Sequence, residues 1–593
     1  MNKINATRFM SQREFAAQLT ELDLNHMEGC TRGGIPLLVK DGKVYVDAED
    51  HHTLIFGSTG SKKTRFFGMP AVKILSSAGE SFLVTDPKGE IYERTAAETA
   101  ARGYQVLCLN LRNFHNGVTW NPLLLPYDCY HSGNRGKAVE MVSELASMII
   151  GEDMQDPFWS NTAADVLVGL MLVLLESAER EECNVKSIFS LWDQYLDNRE
   201  EMLSGLHKRY GDTMIMRRFR SLENSSEKTV GSIESVVAGG LNRLDANEEF
   251  VEFLSQEGLE FAQVVRQKTA LYLVIPDENT YYHFIASIFM EQMYEALIAA
   301  AQEQPDCRLP IRMNYIVDEF ANMPKMRNMA SMITAARSRN IRFHLIIQSR
   351  VQLDEKYGAG AEVICDNCVN WVYLHSRDYK LLHTISELCG DVVYDNHMVL
   401  PLVSEFELQH LKKEEGEALV LAGRSLPCIV NLEDIDAYPD GEGEESSRKT
   451  VTKQKWLPVS VYHMKKSRSK STCQYLPTRE QMERQQMKRG MSRDTWLVGA
   501  CNGVILIEDM ADGKRVDSGA EIFRLCFAEL ADIKDAVELT WYKAPGTMRQ
   551  HYYTLLCAGK PENACVTIQE IGEKCFTPVK INLAEKLKGA GIC

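Results

Sequence analysis

The sequence of 593 residues lacks an apolar run long enough to cross a membrane. Its best candidate, Val166–Leu175, is flanked by Asp165 and Glu176, whereas a spanning helix needs about 20 predominantly apolar residues. The N-terminal segment MNKINATRFMSQREF is polar and has no apolar region of the kind found in signal peptides. These absences predict a cytoplasmic protein, peripheral at most at the inner face of the membrane, in which residues 166–175 belong to a buried core helix.

Cysteine occurs sixteen times, but the spacing that a disulfide framework or a structural zinc site requires is missing. The C-x-x-C motif is found at Cys365 and Cys368, and the closest further cysteine is Cys389. Structural zinc sites normally use a second pair of ligands nearby. We therefore expect free thiols in a reducing compartment, with neither a metal nor a redox role for this motif.

Positive charge is also in short supply, because 82 acidic residues outnumber 66 lysines and arginines and leave a net charge of −16. A protein that coats nucleic acid would be basic overall. The charge balance argues against that class, but it permits an enzyme that contacts DNA through a small basic patch on an acidic body. The apolar share of 45% is sufficient for sizeable cores, and a prior of about 150 residues per domain gives roughly four of them.

Strand-like and helix-like segments alternate in two stretches of the chain. Residues 1–42 form a polar lead that we expect to be mainly helical. Residues 43–127 and 266–432 alternate apolar strands with helical segments, which predicts one α/β domain built on a parallel sheet. Residues 128–265 carry helical spacing without strand candidates. This middle stretch is therefore predicted to be an all-helical insertion in the α/β domain.

The composition changes after residue 432. Residues 433–445 hold seven carboxylates, and residues 448–493 hold thirteen lysines or arginines against two acids. Such charge blocks usually mark linkers, so we expect a charged linker over 433–493. From 494 to 593, short alternating segments predict an additional C-terminal domain of β-rich or α+β structure, to which the sequence assigns no role.

A phosphate-binding loop follows a strand of the α/β domain. GSTGSKKT at 57–64 comes after the apolar TLIF and opens a helical segment, which is the context of the P-loop pattern G-x-x-x-x-G-K-[ST]. Lys62 stands where the pattern has its second glycine, and its Cβ leaves a normal turnover rate open because it can strain the loop. Such loops bind phosphate through backbone N–H groups. The residues expected to bind ATP are Gly57, Ser58, Thr59, Gly60, Ser61, Lys62, Lys63 and Thr64.

Two carboxylates end a later strand. The apolar YIV leads directly into Asp318 and Glu319, as in a Walker B strand. Because parallel strands present their carboxyl ends at one edge of a sheet, the pair is expected beside the P-loop, on successive strand ends. Asp318 and Thr64 would hold Mg²⁺, and Glu319 would orient or deprotonate the attacking water. The following strand ends at Gln348, a polar position suited to sensing the γ-phosphate.

Arg337 and Arg339 end the helical segment between these two strands. An arginine supplied across a subunit interface can stabilise the transition state of phosphoryl transfer. Surface arginines near a helix C-terminus are also favoured by the helix dipole. The sequence leaves both interpretations open.

Several motifs together resemble one family, the TraG/TraD-like coupling ATPases of type IV secretion and conjugation. In chain order they are GGIPLL, HTLIFGSTGSKKT, LVTDPKGEIYERTA, NLRN, TWNPL, FWSNTA, KTVGSI, KTALYLVIPDENTYYHFIASIF, YIVDEFANMP, AARSRNIRFHLIIQS and CIVN. The resemblance covers about residues 30–432, and it is specific because many separate motifs keep their order. It implies a RecA-like P-loop NTPase with a parallel sheet and an all-helical insertion, assembled as a homohexameric ring.

The resemblance further implies that ATP hydrolysis, with Mg²⁺, drives DNA or protein-linked DNA into a secretion channel. Its implied partners are DNA, relaxosome or secreted substrate proteins, and the channel proteins of a type IV secretion system. Lys63, Thr64, Asp318, Glu319 and Gln348 match the nucleotide motifs of the family position by position, and residues 86–89 (DPKG) match a further loop. The sequence departs from the family pattern at Lys62 and in having no N-terminal transmembrane anchor.

Two basic regions compete as the DNA-binding surface. One lies in the helical insertion, the part that the family uses to meet its substrate; the other is the basic half of the linker, 448–493. We expect the linker to supply bulk affinity and the insertion to stimulate ATP turnover. The insertion residues expected to bind DNA are Lys208, Arg209, Arg217, Arg218 and Arg220.

Two other functions are compatible with the same residues. A slow or non-hydrolysing relative could act as a nucleotide-binding adaptor that recruits relaxosome or effector proteins, which Lys62 favours and the intact pair Asp318 and Glu319 disfavours. A DNA translocase of the FtsK or HerA kind would share the motor but not the DPKGE and WNPL motifs, and it ranks third.

Overall fold

The computed structural model describes residues 3–439 and 456–464, apart from residues 28, 152–155, 277, 279 and 395–397, together with the backbone of eight strands after residue 493. The chain divides into two compact units, Met1–Met464 and Lys465–Cys593. The first unit contains the predicted α/β domain and its insertion.

The strands of the first unit are β1 (Lys3–Ala6), β2 (Thr20–Asp23), β3 (Pro36–Lys40), β4 (Lys43–Val46), β5 (Thr53–Gly57), β6 (Ser81–Thr85), β7 (Gln105–Asn110), β8 (Thr269–Val274), β9 (Met313–Val317), β10 (Ile341–Ile347), β11 (Asn370–His375), β12 (Asp391–Tyr394), β13 (Val399–Pro401), β14 (Glu417–Ala422) and β15 (Cys428–Asn431). Its helices are α1 (Gln12–Ala16), α2 (Met69–Ser77), α3 (Glu90–Ala101), α4 (Leu124–His131), α5 (Arg135–Ile150), α6 (Pro157–Ser177), α7 (Val185–Asp197), α8 (Arg199–Tyr210), α9 (Met214–Asn224), α10 (Glu227–Leu244), α11 (Glu248–Phe253), α12 (Phe261–Arg266), α13 (His283–Gln302), α14 (Met329–Ala336), α15 (Arg350–Tyr357), α16 (Ala359–Asn367), α17 (Tyr379–Cys389) and α18 (Glu405–Gln409).

A nine-stranded sheet forms the centre of the first unit, in the order β15-β14-β11-β5-β10-β9-β6-β8-β7. The seven strands from β11 to β7 run parallel, and β14 and β15 add an antiparallel hairpin at one edge. The predicted parallel sheet is thus confirmed. Strands buried on both faces are nearly continuous apolar runs, as in β5, where Leu54 and Phe56 join one hydrophobic cluster and Ile55 joins the other.

The described residues between β7 and β8 form helices α4–α12 and no strand, as predicted for an all-helical insertion. These helices pack in the same hydrophobic cluster as Leu54 and Phe56 of β5. The insertion therefore lies against one face of the sheet, while α2 and α3 cover the other.

The prediction of a mainly helical lead over 1–42 is wrong. Within this stretch α1 has five residues, and the other regular elements are strands β1, β2 and β3. β2, β4 and β3 form a small antiparallel sheet, and β1 pairs with β12. The reason is burial: Leu22 and Leu37 are 8% and 0% exposed, so these short apolar stretches serve as core strands rather than as one face of a surface helix.

Helix α6 is longer than the apolar run Val166–Leu175 at its centre. It has 21 residues, and α6 and α13 are both long and apolar enough to cross a membrane by length and composition. The expectation from sequence that no segment is long enough is therefore wrong. In each helix, however, 72% of the apolar window is buried inside the protein, which is the environment of a core helix.

Part of the predicted charged linker is packed on the insertion. We call residues 456–464 the C-terminal strap. Its main chain is held by three insertion side chains: Gln256 exchanges two hydrogen bonds of 2.8 Å with Leu457, Asn184 Nδ2 donates to Ser460 O (2.7 Å), and Tyr462 N donates to Ser187 Oγ (2.8 Å). The Tyr462 side chain is buried, and Trp456 stacks on His115 with ring centroids 4.1 Å apart. Residues 440–455 and 465–493 lie outside the described residues.

The second unit contains two antiparallel sheets, described here at the level of the backbone. The first is formed by β16 (Asp494–Cys501), β17 (Val504–Ala511), β18 (Lys514–Arg515) and β19 (Phe523–Cys526). The second is formed by β20 (Ala536–Leu539), β21 (Tyr553–Ala558), β22 (Cys565–Glu570) and β23 (Val579–Asn582). The short alternating segments of this region are therefore β-strands, as predicted.

Candidate functional site

Three parallel strands end at one cavity. The P-loop follows β5, the acidic pair follows β9, and Gln348 follows β10. In the sheet, β10 lies between β5 and β9. The sequence suggested that the two halves of the site follow neighbouring strands. In the structure β10 separates those strands, so Gln348 at its end lies between the P-loop and the acidic pair.

The P-loop is tightly closed at its start. A Cβ at Gly57 would lie 2.4 Å from Ser61 Oγ and 2.9 Å from Lys63 Cγ, so only glycine fits there. Lys63 Nζ donates to Gly57 O (2.8 Å), and its side chain is 7% exposed. The chain then enters a single π-helical turn, Thr64–Gly68, that continues directly into α2. This geometry aims the start of a helix at the cavity, which suits an anionic ligand.

Lys62 adopts a backbone conformation that favours glycine. Its φ is +63°, beside Gly60 at +78°. A residue with a Cβ in this region costs about 1–2 kcal/mol more than glycine would. The loop therefore has a glycine-type backbone conformation at the position where the P-loop pattern has its second glycine, and it stores strain there because the residue is lysine.

Replacing Lys62 with glycine is expected to stabilise the fold by about 1 kcal/mol, because the strained Cβ is removed. In a unit of this size the melting temperature should rise by roughly 1–2 °C, which differential scanning calorimetry can measure. Lys62→Ala is the matched control, since it removes the charge but keeps the Cβ. Equal stabilisation by alanine and glycine would show that the strain does not come from the Cβ.

Thr64 and Asp318 meet where the sequence places Mg²⁺. Thr64 Oγ1 donates to Asp318 Oδ2 (3.1 Å). Asp318 is 6% exposed, and its main-chain N–H donates to Thr85 Oγ1 (2.7 Å). Burial raises the pKa of Asp318, while the nearby Lys63 ammonium acts in the opposite direction. A divalent cation bound to these two oxygens would compensate the buried carboxylate, so the pair fits a magnesium ion.

Glu319 is held by three side chains at the cavity wall. Gln348 Nε2 donates to both of its carboxylate oxygens (2.8 and 2.7 Å), Asn322 Nδ2 donates to Oε2 (2.7 Å), and Lys63 Nζ lies 3.3 Å from Oε1. Its backbone is left-handed, with φ at +56°. Strained backbone and multiple donors fix the direction of this carboxylate, as a group that activates water requires.

The cavity that these residues enclose has a volume of about 600 Å³ and is also lined by Asp86, Lys88, Ile275 and His283. Its size is in the range of small-molecule sites. Ser61 Oγ is buried at its wall and has no hydrogen-bond partner among the described residues. Since an unpaired buried hydroxyl is costly, this group and the Gly57 cradle fit a ligand with phosphate oxygens.

Asp86, in the family-like loop DPKG, is 1% exposed at the end of β6. The backbone N–H of Tyr92 donates to its Oδ2 (2.8 Å), and burial raises the pKa of Asp86 to about 6. It lines the same cavity as the P-loop. The loop whose role the sequence left undefined is therefore part of this site.

Sequence reasoning missed several residues of the site. Thr85 supports Asp318, Asn322 supports Glu319, and His375 Nδ1 lies 2.9 Å from Ser58 Oγ. Glu414 Oε2 lies 3.3 Å from Lys62 Nζ. Asn322 stands three residues after Glu319 and could have been found from that spacing; Glu414 and His375 are brought in by the sheet order and have no local signal.

Arg337 and Arg339 are not at this cavity. They form a 3-10 turn immediately before β10, whereas the cavity lies after its last residue. Seven residues of strand separate the two positions, about 20 Å at 3.3 Å per residue. Neither arginine can reach the phosphate site of its own chain, so the two interpretations that remain are action on a neighbouring copy and a surface position without a catalytic role.

Two of the basic residues of the insertion lie at the end of α8 and three lie on α9. Four of the five are exposed, and Arg218 is half-buried. Arg218 pairs with Asp165 of α6, and Arg220 pairs with Asp212 (2.8 Å). The competing basic region, 448–493, falls outside the described residues except for the strap.

Known proteins are similar to this chain over much of the first unit. Residues 3–398 match the family described as Type IV secretory system Conjugative DNA transfer. The protein VirD4 of Rhizobium radiobacter is 22% identical over 361 residues, which are 60% of this chain and 50% of that protein. The chain thus spans about half the length of the curated relatives that it matches.

Solved structures of the plasmid coupling protein TrwB have the same fold. TrwB in complex with the non-hydrolysable ATP analogue ADPNP has a TM-score of 0.54 at 16% identity, covering 78% of this chain and 98% of TrwB. TrwB in complex with ADP and Mg²⁺ has a TM-score of 0.53 at 15% identity, covering 75% and 97%. The first unit therefore has the RecA-like fold of a P-loop domain. Since the family match extends over more than half of its length, the chain belongs to the family of type IV secretory system proteins for conjugative DNA transfer.

Proposed function

We propose that the chain is the ATP-driven motor of a conjugative coupling protein, which moves DNA or protein-linked DNA into a type IV secretion apparatus. The observation that carries this proposal is the convergence of Lys63, Thr64, Asp318, Glu319 and Gln348 on one cavity of about 600 Å³. Membership of a family for conjugative DNA transfer supports DNA as the transported molecule. The TrwB complexes with ADPNP and with ADP and Mg²⁺ support ATP and Mg²⁺ as the ligands of the cavity.

Each residue has a separate role in the proposed hydrolysis. The P-loop N–H groups and the Lys63 ammonium would bind the phosphate chain, and Thr64 and Asp318 would hold Mg²⁺. When bound, Mg²⁺ supplies positive charge that offsets the charge developing on the phosphoryl oxygens. Glu319 orients the attacking water and accepts its proton. Gln348 touches Glu319 and, through its Oε1, Thr59 Oγ1 (3.1 Å), so it connects the water site with the P-loop.

DNA-stimulated ATP hydrolysis is the test of the whole proposal. We expect turnover to rise with single-stranded or double-stranded DNA, measured by phosphate release from the full chain. Neutralising Lys208, Arg209, Arg217 and Arg220 to glutamine should reduce this stimulation; Arg218 is kept because it pairs with Asp165. An ATP turnover rate that is the same without DNA and with either DNA form would contradict a DNA motor.

The salt dependence of DNA binding distinguishes the two basic regions. Every DNA phosphate that the protein no longer neutralises should flatten the slope of affinity against salt by about one unit. A chain ending at Met464, which keeps the strap and removes the second unit, should bind DNA more weakly and retain part of the stimulation. Unchanged affinity and slope would assign the region after 464 to another role, such as binding relaxosome or channel proteins.

The proposal includes a homohexameric ring on the cytoplasmic side of the membrane, in which Arg337 or Arg339 acts on the neighbouring copy. Mixing Arg337→Ala or Arg339→Ala subunits with Lys63→Ala subunits should then restore part of the lost turnover, because some interfaces combine an intact P-loop with an intact arginine. The measurement is ATP hydrolysis as a function of mixing ratio. Full turnover by a monomer at every concentration would contradict the ring.

A second candidate function is a slow nucleotide-binding adaptor that recruits relaxosome or effector proteins. The strained backbone of Lys62 favours it, because strain in the P-loop can slow the catalytic cycle. In that case nucleotide should bind normally, while DNA fails to stimulate hydrolysis.

A further inference from the structure

Lys62 lines the cavity, but its ammonium group bonds to a residue outside the P-loop. Its Nζ lies 3.3 Å from Glu414 Oε2 and 5.8 Å from the centroid of the Phe66 ring. The neighbouring Lys63 is different, since it is 7% exposed and bonded to Gly57 O. Lys62 is 34% exposed, so its ammonium is the more solvent-accessible and the less tightly bonded of the two.

The ion pair between Glu414 and this ammonium is weak. The Glu414 side chain is 80% exposed and stands on the 3-10 turn Lys413–Glu415, just before β14. The adjacent Glu415 pairs with Lys412 instead (3.0 Å). Exposed ion pairs contribute little because water solvates both charges well. The polyphosphate of a nucleotide carries more charge than one carboxylate, so it can displace Glu414 as the partner of Lys62.

Backbone strain indicates that the Lys62 side chain has a function. A glycine would adopt φ of +63° without cost, whereas lysine does not. The Lys62 ammonium lies near the ring of Phe66 and forms an ion pair with the carboxylate of Glu414. What lysine adds at this position is thus an ammonium group beside the phosphate cradle.

We propose that Lys62 is a second phosphate-binding cation, and that Glu414 competes with the nucleotide for it and thereby lowers nucleotide affinity. The inference rests on the proposed function, because it takes the cavity to be a nucleotide site. It predicts an effect that grows with the number of phosphates, largest for ATP, smaller for ADP and smallest for AMP. The chemical class recognised is the polyphosphate rather than the base.

The test is calorimetric titration of the full chain with AMP, ADP and a non-hydrolysable ATP analogue, each with Mg²⁺. Lys62→Ala should weaken binding of the ATP analogue about tenfold and leave AMP unchanged. Glu414→Gln should tighten binding of the analogue by about three- to tenfold. In the double variant Lys62→Ala/Glu414→Gln, the second change should have no further effect, because the two residues act through each other. Glu415→Gln is the charge-matched control and should behave as wild type.

Three results would overturn the proposal: wild-type affinity of Lys62→Ala for the ATP analogue, the same gain from Glu414→Gln with and without Lys62, or an equal gain from Glu415→Gln. Lys63→Ala separates this inference from the function on which it rests. If Lys63→Ala binds the analogue as tightly as wild type, the nucleotide site itself is wrongly assigned. If Lys63→Ala loses binding while Lys62→Ala does not, the role of Lys62 alone is refuted.

Discussion

Glu319→Gln is expected to bind ATP and Mg²⁺ normally and to hydrolyse ATP at least about a hundredfold more slowly. Glutamine has the shape of glutamate, and its one carboxamide oxygen, placed where Oε2 lies, can still accept from both Gln348 and Asn322, so the cavity keeps its shape. It cannot accept the proton of the attacking water, and positioned proton transfer contributes about 10²- to 10⁴-fold to rates. The measurements are calorimetric affinity and single-turnover hydrolysis on the same preparation.

The control for Glu319→Gln is Glu415→Gln, which removes an exposed carboxylate that pairs with Lys412. Turnover of the control should equal that of the wild type. Hydrolysis by Glu319→Gln at the wild-type rate would refute its role in activating water and would direct attention to Asp86, whose carboxyl lines the same cavity.

Lys63→Ala is expected to reduce ATP affinity by more than about 30-fold, below detection in an ordinary calorimetric titration. Removing one partner of a buried, hydrogen-bonded charge pair costs about 2–5 kcal/mol, and each 1.4 kcal/mol is a factor of ten in affinity. Lys63 is the buried ammonium of the loop, with 7% exposure. Glu319 keeps its bonds from Gln348 and Asn322 in this variant, so the protein should remain folded.

Lys62→Ala is the matched control for Lys63→Ala, since it removes the adjacent lysine from the same loop. It should retain measurable ATP binding. Equal losses in the two variants would mean that the register of the P-loop is wrong by one residue. Melting temperatures of both variants show whether lost binding reflects lost folding.

The candidate nucleotide site was predictable from sequence because each half is local. A P-loop is one turn between a strand and a helix, and Asp318 and Glu319 directly follow an apolar strand, so residue type and order are sufficient. The relation between the halves was not predictable in detail. β10 lies between β5 and β9 in the sheet, and this strand order depends on long-range packing. As a result, Gln348 at the end of β10 lies at the centre of the site, between the P-loop and the acidic pair.

Other features were hidden because their partners are distant in sequence. Lys62 and Glu414 are 352 residues apart, and Ser58 and His375 are 317 apart, so no periodicity links them. The N-terminal lead resembles a surface helix in sequence because its apolar residues are few and scattered. The pairing of β2 with β4 supplies the burial of Leu22, which local sequence does not reveal.

The C-terminal strap connects the end of the first unit to the insertion, although in sequence it follows the last strand of the central sheet. In sequence, the second unit follows the antiparallel edge of the central sheet, but the last anchors before residue 465 are His463 and Tyr462, which bond to Ser190 and Ser187 of α7 in the insertion. We therefore expect a pulling force on the second unit to be transmitted first to the insertion, through these bonds and then through those at Ser460 and Leu457. On this connectivity, such a force should reach the insertion before it reaches β14, β15 and the sheet that carries the P-loop.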